Sequence, residues 1–252
     1  SIKCRTSGMH PDAAVVVATV RGLKAHSGRH EIVAGRPLPE ALLQPNPDDV
    51  RQGGGNLRRQ LDVIQMHGPT PVVAVNAFPD DHPEDLAAVE EVAAECGARA
   101  VVSRHFTDGG AGAVELARAV ADAAEEPGEF RLLYPDQMSL RDKIHTVATQ
   151  VYGAGAVDYS STAKRQLDAF EDRGLGGLPV CIAKTHLSLT ADPSIKGAPT
   201  GWTLPVREVR ASTGAGFVTP ICGEMRTMPG LGSRPALQRI DIDADGNVVG
   251  LS

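Results

Sequence analysis

Aromatic side chains are scarce in this chain: five Phe, three Tyr and one Trp among 252 residues. A core with so few rings rests on aliphatic packing, so a ring on a loop is a candidate for chemistry. Long apolar runs are also lacking. The longest, residues 13–20 and 71–75, fall far short of the roughly 20 residues needed to cross a bilayer, so no membrane partner is expected. There is no cationic excess, with 25 Lys+Arg against 31 Asp+Glu and a formal charge of −6, and no nucleic-acid partner is expected either. The four cysteines form no Cys-x-x-Cys pair. That argues against a disulfide framework or a zinc site, and for reduced thiols in a cytoplasmic protein. Residues 1–5 do not read as a signal peptide. The absent initial Met fits a processed terminus or a start in mid-domain. No P-loop, Gly-x-Gly-x-x-Gly or Gly-x-Ser-x-Gly motif is present, so no complete catalytic motif stands out.

What is present reads as α/β. Residues 12–20 (DAAVVVATV), 69–75 (PTPVVAV) and 98–102 are runs rich in β-branched residues, typical of buried parallel strands. Between the second and third, residues 84–96 place Leu86, Val89, Val92 and Ala93 at helical spacing, with Asp85 opening the helix and Gly97 closing it. Residues 111–124 supply another helix. Residues 28–55 hold many Gly and Pro and suggest a long connection with at most a short helix, after which Asn56 caps a helix over 56–66. A composition change at 125–128 marks a boundary. Beyond it the patterns predict a strand at 130–134, helices at 140–152 (capped by Ser139) and 162–172, and a strand at 178–183. Short strands are expected at 204–209, 216–219 and 240–242, with a hairpin turn at Asp245-Gly246-Asn247.

Several segments could bind ligands. Asn76 follows the second strand, and ligands of open parallel sheets gather at strand carboxyl ends. Its amide could meet a purine edge or close an Asx-turn. His105-Phe106 follows the third strand and could stack a flat pteridine-like ring or form an apolar lid. Gly109-Gly110-Ala111-Gly112 could face an anion or simply turn the chain. Lys184-Thr185-His186 could bind an anion, contact a subunit or form a satisfied polar cluster. Residues 6–11 precede the first strand, which places them at the opposite edge unless the chain folds back.

In order along the chain, these features resemble the formate–tetrahydrofolate ligase family. The resemblance runs through Lys3-Cys4-Arg5-x-Ser7-Gly8-Met9-x-Pro11-Asp12-Ala13, Val17-Ala18-Thr19-Val20-Arg21 and Asn56-Leu57. It continues in Val73-Ala74-Val75-Asn76-Ala77-Phe78, Gly109-Gly110-x-Gly112-Ala113-x-Glu115-Leu116-Ala117, Lys143-Ile144 and Val151-Tyr152-Gly153-Ala154. Pro179-Val180-Cys181-Ile182-Ala183-Lys184-Thr185, Gly214-Ala215-Gly216-Phe217 and Thr227-Met228-Pro229-Gly230-Leu231 complete it.

The resemblance implies ATP-dependent formation of 10-formyltetrahydrofolate from formate and tetrahydrofolate, with Mg2+ accompanying ATP. It implies a P-loop NTPase-like parallel core followed by smaller α/β domains, of which this chain would be the C-terminal portion. Residues 1–125 would be half of the nucleotide-binding core, 126–190 a second α/β domain and 191–252 a small C-terminal domain. The Walker-A loop would lie in a separate N-terminal half, the chain alone would be inactive, and the assembly would be a homo-oligomer. Ser7, Gly8, Pro11 and Asn76 would face the nucleotide, with Ser7-Gly8 and Asn76 converging on one side of the sheet. Phe106, Leu132, Tyr134 and Met138 would line a folate pocket, Met138 standing where many members carry Trp. Residues 28–55 also look longer than the family's usual connection. A non-catalytic folate-binding or assembly module is the alternative.

Overall fold

The computed structural model describes residues 2–32, 37–223, 238–244 and 248–250. A short helix α1 (Ile2–Ser7) leads into β1 (Ala13–Ala18). The β-branched run stops there because Thr19 caps α2 (Val20–His26), its side chain accepting from the Gly22 N–H. After α3 (Glu40–Leu43) comes α4 (Pro47–His67), then β2 (Thr70–Asn76), α5 (Pro83–Glu95) and β3 (Arg99–Ser103). The three strands form a parallel sheet in the order β1-β2-β3, with Ala13 opposite Thr70 and Asn76 opposite Ser103. This confirms the α/β fold class.

Helix α4 corrects the sequence expectation. It starts nine residues before Asn56, has Pro47 in its first turn, and is capped by Asn46, whose side chain accepts from the Asp49 N–H. Three consecutive glycines lie inside it. Glycine lowers helix propensity, but tertiary contact demands it here: a Cβ on Gly53 would overlap the Leu23 carbonyl, and one on Gly54 would press on Val92. Helices α2, α4 and α5 share one face of the sheet, as successive right-handed crossovers require. They bury Leu23, Val50, Leu57, Leu61 and Val89 against Val73 and Val75. A buried ion pair locks this layer. Lys24 Nζ lies 2.7 Å from Asp85 Oδ2, each side chain 1% exposed, and also donates to the Gln44 carbonyl at 2.7 Å. The other Asp85 oxygen accepts from the Asn46 N–H at 2.9 Å. Asp85 therefore joins α5 to α2 and to the start of α4.

The next segment is α6 (His105–Asp108), a 3-10 turn over Gly109–Ala113 and α7 (Val114–Glu125). Helix α7 covers the other sheet face, burying Val72 against Ala119 and Ala123. It leaves Val15 and Val17 of the edge strand β1 exposed at 45% and 67%.

A separate core gathers Tyr134, Leu140, Ile144, Leu167, Leu204, Val206, Val218 and Cys222. Ser139 caps α8 (Leu140–Thr146), which continues as a π-turn over Val147–Val151. A strand not foreseen, β4 (Ala156–Tyr159), precedes α9 (Ser161–Asp172). It pairs in parallel with β5 (Thr203–Ser212), which pairs antiparallel with β6 (Phe217–Cys222). This sheet draws strands from both sides of residue 190. The strand expected over 130–134 does not form. Its backbone instead meets the end of α4, where the Arg131 N–H donates to the His67 carbonyl at 2.8 Å. Residues 178–183 run beside β6 but reach only two bridges, at Val180 and Ala183. Pro179 in that segment and Pro220 in β6 lack the N–H that a full ladder needs. A small hairpin pairs β7 (Asp241–Ile242) with β8 (Val248–Val249). The predicted Asp245-Gly246-Asn247 turn and the Thr227–Leu231 motif lie outside the described residues.

Candidate functional site at the carboxyl end of the parallel sheet

In an open parallel sheet the loops beyond the strand carboxyl ends meet, because each strand leaves the sheet in the same direction. Here the three loops bring Arg21, Asn76, Phe78 and Phe106 to one edge. Arg21 opens α2 after β1, and its guanidinium carbon stands 4.8 Å from the centre of the Phe78 ring, a cation–π arrangement. Phe78 lies just beyond β2. The turn holding it is closed by Asp81, whose carboxylate accepts the Phe78 N–H at 2.8 Å. Phe106, on α6 after β3, pairs with Phe78 at 5.7 Å between ring centres and 52° between planes. It is 66% exposed. Ser103, the last residue of β3, is fully buried and meets His105 Nδ1 at 2.9 Å.

Two polar atoms at this edge are buried without a partner among the described residues, Asn76 Oδ1 and Arg21 Nε. Among the described residues the one ion pair of Arg21 is with Asp80, at 3.4 Å. A buried carbonyl oxygen without a donor costs stability, so Asn76 reads as an acceptor held for an incoming N–H. Two rings, a guanidinium and an unmet acceptor together suit a flat heteroaromatic with ring N–H or amino groups.

The structure sorts the predicted residues differently from the expectation. Asn76 and Phe106, assigned to nucleotide and folate, share the carboxyl edge. Ser7, Gly8 and Pro11 lie at the amino end. Pro11 stands two residues before Ala13, which is opposite Thr70, and Thr70 to Asn76 spans six residues, about 20 Å of strand. On either side of Ser7 and Gly8, Arg5 donates to the Tyr134 carbonyl and to Asp136, each at 2.6 Å, and His10 packs on Phe130. The expected convergence of Ser7-Gly8 with Asn76 is therefore overturned within this chain. Ser7 Oγ donates to the Lys3 carbonyl at 2.7 Å, ending α1. Gly8 has φ +67° with open space where a Cβ would stand, so the turn requires glycine and close approach does not.

The shared pocket of Phe106 with residues 132–138 is also not formed. Tyr134 is 4% exposed in the second core, its hydroxyl accepting from the Val180 N–H. Met138 packs on that core, with its sulfur 3.7 Å from Thr146 Oγ1, and Leu132 is 40% exposed. Without a strand at 130–134, this segment follows α4 and α8 and stays away from the carboxyl edge. Sequence reasoning missed Phe78 and Arg21 as site residues. The scarcity of aromatics was the available signal for Phe78, two residues beyond Asn76. Nothing local marked Arg21. Among the described residues no three His, Cys, Asp or Glu converge as a metal site, and no helix is long and apolar enough to cross a membrane.

The parallel sheet with its covering helices defines an α/β protein, and its carboxyl edge, with rings, a cation and an unmet acceptor, is the candidate ligand site. The sequence profile described as formate–tetrahydrofolate ligase matches residues 1–252. The chain belongs to that family. It is similar to the formate–tetrahydrofolate ligase of Saccharopolyspora erythraea, 66% identical over 252 residues, covering all of this chain and 45% of that protein. It is also similar to formate–tetrahydrofolate ligase 3 of Rubrobacter xylanophilus, at 61% over 260 residues with the same coverage. The formate–tetrahydrofolate ligase of Cutibacterium acnes is 55% identical over 251 residues, again with all of this chain and 45% of that protein covered. The chain thus spans about 45% of the length of the relatives it matches.

Proposed function

We propose that the chain is the folate-facing part of an ATP-dependent formate–tetrahydrofolate ligase. The observation that carries this is the Phe78–Phe106 pair beneath Arg21, beside the unpartnered Asn76 oxygen, in a member of that family. The rings would stack a pterin, and Asn76 Oδ1 would accept one of its N–H groups or that of a purine. At 5.7 Å the rings leave no room for a third between them, so a pterin would stack on the exposed face of Phe106 or displace it. Ser7, Gly8 and Pro11 would serve a nucleotide only through segments outside this chain.

The sequence holds no Walker-A motif, and phosphoryl transfer needs the γ-phosphate cradled and its charge neutralised. We therefore assign that step, the holding of formate and any Mg2+ to the other half of a longer or two-part enzyme. Relatives more than twice this length support that division. So does the exposed edge strand β1, since a parallel sheet is normally covered on both faces and a bare β-branched edge invites a further strand. We read residues 1–125 as half of the nucleotide-binding core, a cytoplasmic setting from the four free cysteines, and a homo-oligomeric assembly from family resemblance.

Isothermal titration of the full chain with tetrahydrofolate tests the folate site. Phe106→Ala and Phe78→Ala should each weaken binding by about 1–3 kcal/mol, the range for a lost stacked ring. Unchanged affinity in both, with intact folds, would move the site elsewhere. The chain alone should release no formate- and folate-dependent ADP, and turnover would remove the need for a second half. The alternative of a non-catalytic folate-binding module rests on the missing P-loop. Folate binding that persists with no complementing half able to restore turnover would favour it.

A further inference from the structure

A second polar cleft lies where the two cores meet, apart from the aromatic edge. It has a volume of about 300 Å³ and is lined by α2, α4, the end of the π-turn and residues 182–189. Among the described residues no acidic side chain lines it, although the chain as a whole has more acids than bases. Lys184 stands in its wall, half-buried, and makes no ion pair among the described residues. Its ammonium donates to the Thr185 and Ser188 carbonyls and lies 4.6 Å from the Tyr152 ring centre. An ammonium has three donors, so one N–H is left over. The side chains of Asn56, Gln60 and His186 line the same space and make no hydrogen bond among the described residues. His26 accepts the Gly197 N–H at Nδ1, at 3.3 Å. That leaves Nε2–H as a donor, because burial and Lys196 lower its basicity and favour the neutral ring.

We propose that this cleft binds an oxyanion, a carboxylate or phosphate group of a small molecule, with Lys184 as the fixed charge and the Asn56 and Gln60 amides as donors. Charge sign decides the class. A half-buried ammonium without a carboxylate is costly; its charge repels a second cation, while the amide N–H groups of Asn56 and Gln60 can donate to an anion. Burial lowers the Lys184 pKa, and an oxyanion beside it would oppose that penalty. The site goes beyond the aromatic shelf and stands whether or not that shelf binds folate. It shares none of the residues assigned to the shelf.

The test titrates the full chain with inorganic phosphate, formate and L-glutamate, followed by calorimetry and by the imidazole NMR signals of His26 and His186. Saturable binding with a Kd of about 1 mM or tighter is expected for at least one. Tighter phosphate binding would identify a phosphate ligand, and tighter glutamate or formate binding a carboxylate. Lys184→Met should weaken binding by about tenfold. Because Lys184 also ties the 184–188 turn, Asn56→Leu and Gln60→Leu serve as controls for folding. Neither side chain makes a hydrogen bond among the described residues, so each variant should weaken binding about threefold with Tm unchanged. Phe106→Ala should leave anion binding intact, which separates this site from the aromatic one. Absence of saturable binding for all three anions, or unaltered affinity in both amide variants, would overturn the proposal.

Discussion

The two ends of the parallel sheet both carry aromatic rings and an arginine, and they use them differently. At the amino end, Arg5 gives both terminal nitrogens to the chain, to Asp136 and the Tyr134 carbonyl, and covers the Tyr134 ring at 4.7 Å. His67 stacks on Phe130 at 6.1 Å while its Nδ1 meets the Arg131 carbonyl. These groups fasten the first core to the second. At the carboxyl end, Arg21 meets an exposed aspartate and the Phe78 ring, Phe106 is mostly bare, and the Asn76 oxygen has no partner among the described residues. Both arginines keep a buried Nε without a partner among the described residues. The difference lies in their terminal nitrogens, which Arg5 commits to the second core, and in the Asn76 oxygen and the bare Phe106 ring. Those last two make the carboxyl end the candidate ligand shelf. Partner accounting separates the two roles, and composition does not.

The comparison can be broken hardest beneath the shelf. Asp85 anchors the helix that follows the Phe78 loop, and Asp85→Ala would leave the Lys24 ammonium buried without its counter-charge. A loss of about 3–5 kcal/mol in urea unfolding is expected; a loss below about 1 kcal/mol would mean that water reaches Lys24. Arg5→Ala at the amino end should cost about 1.5–3 kcal/mol, the range for hydrogen bonds to a charged group, with folate affinity unaltered. A drop in folate affinity there would erase the distinction between the ends.

The second core supplies a pH test. Burial pushes the Cys222 thiol up to about 12, from an ordinary 9.0. The folded state thus holds the proton that the unfolded state releases first. The stabilising contribution is complete below pH 9 and is lost as pH rises from 9 towards 12, at up to about 1.4 kcal/mol per pH unit. Tyr159, pushed to about 12 from 10.0 by burial, adds in the same direction above pH 10. Cys222→Ala should flatten the fall in urea midpoint between pH 9 and 10, and an unchanged slope would exclude Cys222 as its source. At neutral pH the exposed Cys181 should react with a thiol reagent at once, and Cys222 only after unfolding. The smallest effect sharpens the contrast most. Phe106→Ala should change stability by no more than about 0.5 kcal/mol, as for exposed positions, while weakening folate binding. A large loss of stability would make Phe106 a fastener like Phe130.

The sequence by itself determined the three parallel strands, because β-branched runs bounded by turn residues suit few other structures. It determined α5, α7 and α9 through their apolar spacing, and the ordered motifs determined the family. Tertiary structure decided what local pattern could not. The glycines at 53–55 read as a loop, and only the close approach of α4 to Leu23 and Val92 makes them helical. Asp85 read as a helix-opening residue, and only Lys24, 61 residues earlier in the chain, makes it a buried anchor. Residues 130–134 read as a strand and were claimed by the end of α4. The site divides in the same way. The strand-end positions of Asn76 and Phe106 were legible because strand ends are visible in sequence, and the amino-end position of Ser7 and Gly8 stayed open because no local signal says which end of a sheet a loop must reach. Phe78 and Arg21 joined the site through contacts between separate strand–helix loops, and such contacts exist only once the sheet has set the direction in which every strand leaves it.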